Sequence, residues 1–136
     1  MLHTKVNRRG RWTTIPLGVR IAVSRNECQV CGTAYGKFRV MGQKNGKQAA
    51  VIDIQHLDHL LPRRWLMEVD INPHQPGNLL SVCGSCHGKK KGLEDRLYQG
   101  DVISYLQGMH ELHYPVHKII KFALANGLNE FGGFRQ

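Results

Sequence analysis

Asn78-Leu79-Leu80-Ser81-Val82-Cys83-Gly84-Ser85-Cys86-His87-Gly88-Lys89-Lys90-Lys91 reads as a strand, a metal knuckle and a helix start in one uninterrupted run. Leu79 to Val82 is a short apolar stretch of strand type, and Cys86 to about Leu97 predicts a helix that begins at the knuckle. The Cys83–Cys86 bracket has a twin of the same spacing in Cys28-Gln29-Val30-Cys31. Each C-x-x-C turn doubles back sharply enough to aim two sulfurs at one ion. The pair therefore predicts one structural zinc held by Cys28, Cys31, Cys83 and Cys86, against the rivals of a redox pair or two unrelated buried pairs. Such a zinc staples two remote segments around residues 32–82, and that insertion is where the function is expected.

Outward from the knuckle, Lys37 to Met41 and Gln48 to Gln55 predict two strands joined at Asn45-Gly46, a strong hairpin turn signal. The second strand is expected to run on through Val51, Ile52 and Ile54 toward His56-Leu57-Asp58-His59-Leu60-Leu61-Pro62, where Pro62 ends pairing. Pro62 to Gly77 then reads as a loop. Upstream, Pro16 to Arg25 suits a short helix with Leu17, Ile21 and Ala22 as its apolar residues. Downstream, Asp101 caps a helix through Val102, Ile103, Tyr105 and Leu106. Val116 to Ala125 forms another, with Ile119, Ile120 and Ala123 on one face and Gly127 as its stop.

The whole chain, 136 residues with 41% hydrophobic and 21% charged side chains, has the size and composition of one globular domain. That excludes collagen-like, low-complexity and wholly disordered chains. No apolar run approaches the about 18 residues of a membrane span, and Met1 to Gly10 lacks a secretory leader's apolar core, so a soluble cytoplasmic protein with no membrane partner is expected. A net charge of +9 favours a polyanionic partner. Lys5, Arg8, Arg9, Arg11, Arg20 and Arg25 all precede the first acidic residue, Glu27, and Lys89, Lys90 and Lys91 form a second cluster. Residues 1–15 read as a basic arm.

Cys28-x-x-Cys31, Asp58-His59 with Pro62 following, Asn78-Leu79, and Cys83-x-x-Cys86-His87 with a following Lys together resemble the HNH endonuclease family, over Cys28 to about Lys91. Size and spacing are most similar to its small phage and prophage members. The resemblance implies an α+β fold: a ββα-metal (His-Me finger) core at 28–91, stapled by the four-cysteine zinc site. A basic N-terminal arm and flanking helices, including a helical extension at 101–136, complete a single domain spanning 1–136.

It also implies a metal-dependent endonuclease that nicks or cuts DNA, with DNA as partner. His59 is then the general base, an imidazole largely neutral at pH 7 and able to take a proton from water. Asp58 and His87 hold a divalent cation, Mg²⁺ or Mn²⁺, that stabilises the phosphate and the leaving oxygen. Asn78 ties the long loop to the frame through an amide that both donates and accepts. Arg63, Arg64, Lys89, Lys90 and Lys91 extend a DNA-binding surface. A role in phage DNA processing, with terminase or portal proteins as packaging partners, follows from the narrower resemblance, and the chain is expected as a monomer or homodimer. The alternative is a non-catalytic zinc module that binds nucleic acid.

Neighbours on a regular strand face opposite ways, so Asp58 and His59 share a site only if the strand ends or bends there. His56 lies on the face of Asp58 and is open to metal binding, substrate orientation or simple packing. His110, His113 and His117 are spaced as a helical face, but Pro115 interrupts it, and a surface face is expected. His3 and His74 lie in tail and loop without a visible partner. Trp12 and Trp65 are expected to pack. A zinc nucleobase deaminase needs H-x-E or C-x-E with P-C-x-x-C, and neither pair occurs here.

Overall fold

In the computed structural model, which describes residues 12–36, 38–44 and 47–133, the chain is an α+β fold. The basic residues of the arm up to Arg11, together with His3, Lys37 and the Asn45-Gly46 turn, lie outside the described residues. Two antiparallel strand pairs organise the rest. Strands β1 (Phe38–Lys44) and β2 (Lys47–Ile52) form the expected hairpin, paired from Phe38↔Ile52 to Lys44↔Lys47 with a register irregularity between Val40 and Gln43.

The second strand does not run on toward Pro62. It stops at Ile52, and a separate strand β3 (Gln55–His59) pairs with β4 (Leu79–Cys83), from Gln55↔Cys83 to His59↔Leu79. Side-chain anchoring accounts for the break. The Gln55 amide oxygen accepts from Arg25 N at 2.9 Å and from Ser81 Oγ at 2.7 Å, while Asp53 O accepts from Gly36 N at 2.8 Å. Those bonds bind β3 to β4 and the knuckle segment rather than to the hairpin. Every residue of β4 is buried, Leu79, Leu80, Val82 and Cys83 as apolar side chains and Ser81 with its hydroxyl donating to Gln55 Oε1.

The segment read as a loop after Pro62 contains helix α2 (Arg63–Glu68), which buries Leu66. Pro62 supplies a helix-compatible φ of −58° directly before the first turn. The helix expected over Cys86–Leu97 is divided instead into α3 (Gly84–Lys89), a 3₁₀ turn at Lys91–Leu93 and α4 (Glu94–Tyr98). Lys90 sits at the junction with its side chain turned inward, 1% exposed, and Gly88 and Gly92 weaken helix on either side.

Helix α6 (Val116–Ala125) has the expected bounds, and α5 (Val102–Glu111) starts after Asp101 as expected and runs on past Leu106. Asp101 accepts from Ser104 N at 3.0 Å as the α5 cap, and Gly127 at φ 83° follows α6. Ile119, Phe122 and Ala123 of α6 and Tyr105, Leu106 and Met109 of α5 join Leu60, Leu61, Leu80 and Val82 in one core. The upstream helix α1 (Leu17–Val23) forms as expected, but its apolar residues do not pack: Leu17 is 72% and Ile21 70% exposed, and only Val23 is buried. No helix among the described residues is long and apolar enough to cross a membrane.

Candidate metal centre and active-site cleft

Cys28 and Cys31 lie on a tight turn closed by Gly32 N donating to Cys28 O at 2.9 Å, with Gly32 at φ 80° where glycine avoids the Cβ penalty. The N–H groups of Val30 and Cys31 each point at Cys28 Sγ, 3.4 Å away. Cys83 ends β4 and Cys86 lies in the first turn of α3. Gln29 N donates to Ser81 O at 2.9 Å and Ser81 N to Gln29 Oε1 at 3.0 Å, which fastens the knuckle to β4.

The four Sγ atoms lie within 4.8 Å of one another, and Cys31 and Cys83 are 3.7 Å apart. Tetrahedral zinc with bonds of about 2.3 Å separates its sulfurs by about 3.8 Å, so the cluster could hold a zinc ion as it stands. All four are free thiols. Thr33 hydrogen bonds pull Cys31 down to about 6, whereas burial pushes Cys83 and Cys86 up. A thiolate set with buried members needs a cation to compensate it.

A cleft of about 590 Å³ opens nearby, lined by Asp58, His59, Arg63, Arg64, His87 and Glu94 among others. The strand ends at His59, which lets two neighbours of opposite facing serve one cavity. Asp58, 3% exposed, is held on both oxygens. Oδ1 accepts from Lys90 Nζ at 2.8 Å and lies 3.2 Å from His87 Nδ1, while Oδ2 accepts from Tyr114 OH at 2.8 Å. Its carboxylate in turn helps push the Tyr114 phenol above its usual range, after burial. His87 is exposed, and its ring stacks on His56 with centroids 5.2 Å apart and planes within 6°. His56 therefore packs face to face against His87.

His59 Nε2 lies 3.0 Å from His74 Nδ1. Burial, followed by the His74 ring, lowers the His59 pKa to about 4. Asn78 is fully buried below the cleft: Oδ1 accepts from Leu61 N at 2.8 Å, and Nδ2 donates to Leu61 O and Pro73 O, both at 3.0 Å. Those bonds tie the loop after α2 to the end of β3.

Arg63, Arg64, Lys89 and Lys91 are exposed, the two arginines on the cleft rim. Lys90 corrects the expectation of a continuous basic surface. It is buried, pairs with Asp58 and with Glu94 at 3.4 Å, and donates to the His59 carbonyl. His74 corrects another: placed in a loop without a visible partner, it is buried against His59. Tyr114 was not singled out by sequence reasoning, because only chain folding brings it to Asp58.

Comparison with family models, with curated proteins and with solved structures finds no match to this chain.

Proposed function

We propose that the protein is a metal-dependent endonuclease of the HNH type that hydrolyses phosphodiester bonds of DNA. The observation that supports this reading best is the convergence of Asp58, His59 and His87 on one cleft with Arg63 and Arg64 on its rim. Asp58 Oδ1 and His87 Nδ1, 3.2 Å apart, suit adjacent positions around one ion with bonds of about 2.1 Å. These two residues would hold Mg²⁺ or Mn²⁺, which when bound supplies positive charge to the phosphate and the departing oxygen.

The chain's own residues do the rest. His59 takes a proton from the attacking water; its depressed pKa keeps the ring unprotonated at pH 7 while making it a weaker base than a free imidazole. Tyr114 and Lys90 fix the orientation of the Asp58 carboxylate between them, and a cation bound to Oδ1 would share that oxygen with Lys90 or displace its ammonium. Arg63 and Arg64 grip the phosphates flanking the scissile bond, and the cysteine cluster, loaded with zinc, holds β4 and α3 in place.

A second reading, a zinc module that binds nucleic acid without cutting it, has one observation in its favour: Lys90 already occupies the Asp58 oxygen nearest His87. Supercoiled plasmid separates the two. Zinc-loaded protein with Mg²⁺ or Mn²⁺ should convert it to open circles, whereas His59→Ala, folded and zinc-loaded, should lose at least about a hundredfold in rate. Plasmid bound but intact under every metal overturns the nuclease reading in favour of the second.

A further inference from the structure

Among the described residues the His59 ring makes one hydrogen bond, through Nε2 to His74 Nδ1. The far nitrogen of His74, Nε2, lies 2.6 Å from the carbonyl oxygen of Trp12. A carbonyl oxygen only accepts, so His74 Nε2 carries a proton and donates it. Burial, aided by Arg63 and Arg20 and opposed by the Trp12 carbonyl, holds the His74 pKa below 6.5, so at pH 7 the ring bears one proton only. That proton is on Nε2. His74 Nδ1 is therefore bare and accepts, His59 donates through Nε2, and the lone pair of His59 is left on Nδ1.

We infer that His74 is a positioning residue that fixes the tautomer and ring angle of His59, so that the nitrogen offered to water in the cleft is Nδ1. The pair is held from behind. His74 is 3% exposed, and its backbone N–H donates to Asn72 Oδ1 at 2.9 Å. The Trp12 carbonyl also accepts from Arg63 Nε at 3.2 Å, so one oxygen links the base relay to an arginine on the cleft rim. Trp12 itself sits at φ 53°, in the left-handed region, which for a bulky residue is a strained position needing such contacts to hold it.

The proton assignment stands apart from the nuclease reading; its catalytic consequence rests on it. Imidazole nitrogen spectra of ¹⁵N-labelled, zinc-loaded full-length protein near neutral pH test the first part. The expected result is a bare Nδ1 and protonated Nε2 on His59, with scalar coupling to His74 Nδ1 across the hydrogen bond that disappears in His74→Phe. A proton on His59 Nδ1, or no coupling in the wild type, overturns the relay.

Plasmid nicking tests the consequence. His74→Phe should lose about a hundredfold in kcat with the KM for DNA nearly unchanged, as expected for a misplaced base. His74→Gln, whose amide presents an acceptor and a donor in the same order, should recover most of that loss. Wild-type kcat in His74→Phe, or a folded His74→Gln as poor as His74→Phe, overturns the positioning role. A wild type that leaves plasmid intact defeats the nuclease reading alone, because the spectra still decide the relay.

Discussion

Lys90 pairs with two residues that line the cleft, Asp58 and Glu94, and its sequence disguises that placement. In Lys89-Lys90-Lys91 nothing distinguishes the middle side chain, yet it is 1% exposed while its neighbours face solvent. The one usable signal is Glu94, four residues on, with which Lys90 pairs. Removing one member of a buried ion pair strands the other, at a cost of about 3 kcal/mol. Lys90→Met should therefore lower the unfolding free energy of the zinc-loaded protein, measured in urea, by an amount of that order, while Lys89→Met stays within about 0.5 kcal/mol of wild type. Equal, small effects in both variants would contradict the inward placement. Asp58, His59, Asn78 and His87 were readable as a pattern because their types and spacing carry chemistry. His74 and Tyr114 were not, since each meets its partner only across the folded chain.

At the scale of elements, the hairpin, β4, α5 and α6 were legible because apolar periodicity and punctuation agree there: Asp101 before α5 and Gly127 after α6. The break between β2 and β3 was not, because strand-type residues on both sides of Asp53 (Val51, Ile52 and Ile54) hide a change of partner strand that Gln55 enforces. Helix α2 was missed where the density of Arg and Pro suggested loop, although Leu66 anchors it. The loop after α2 is secured to the end of β3 by the His59–His74 bond, and this attachment is sensitive to acid. Both rings are held below the 6.5 of an unfolded histidine, His59 at about 4, so between those values the unfolded chain binds more protons. Stability falls as pH drops through that window. The urea midpoint should decline more steeply from pH 6.5 to 5 in the wild type than in His74→Gln, which removes one of the two titrating rings. Parallel slopes would count against the pairing.

For the whole molecule, the four-cysteine cluster joins the knuckle before the hairpin to the β4–α3 corner beside the cleft. A metal there would connect most of the fold. One zinc per chain is expected by elemental analysis, and prolonged strong chelation should lower the melting temperature by more than about 10 °C, with Mg²⁺ failing to restore it. An unchanged melting curve in metal-free protein would remove zinc from the structural account.

The hydroxyl of Tyr114 on Asp58 also sets an order of assembly. A ribosome delivers the carboxylate long before the phenol that caps it. Until α5 and α6 dock, Asp58 lacks one of its two fixed partners and Leu60 lacks the Tyr105 hydroxyl on its carbonyl. The nascent chain thus carries an unfinished centre until the residues of α5 and α6 emerge.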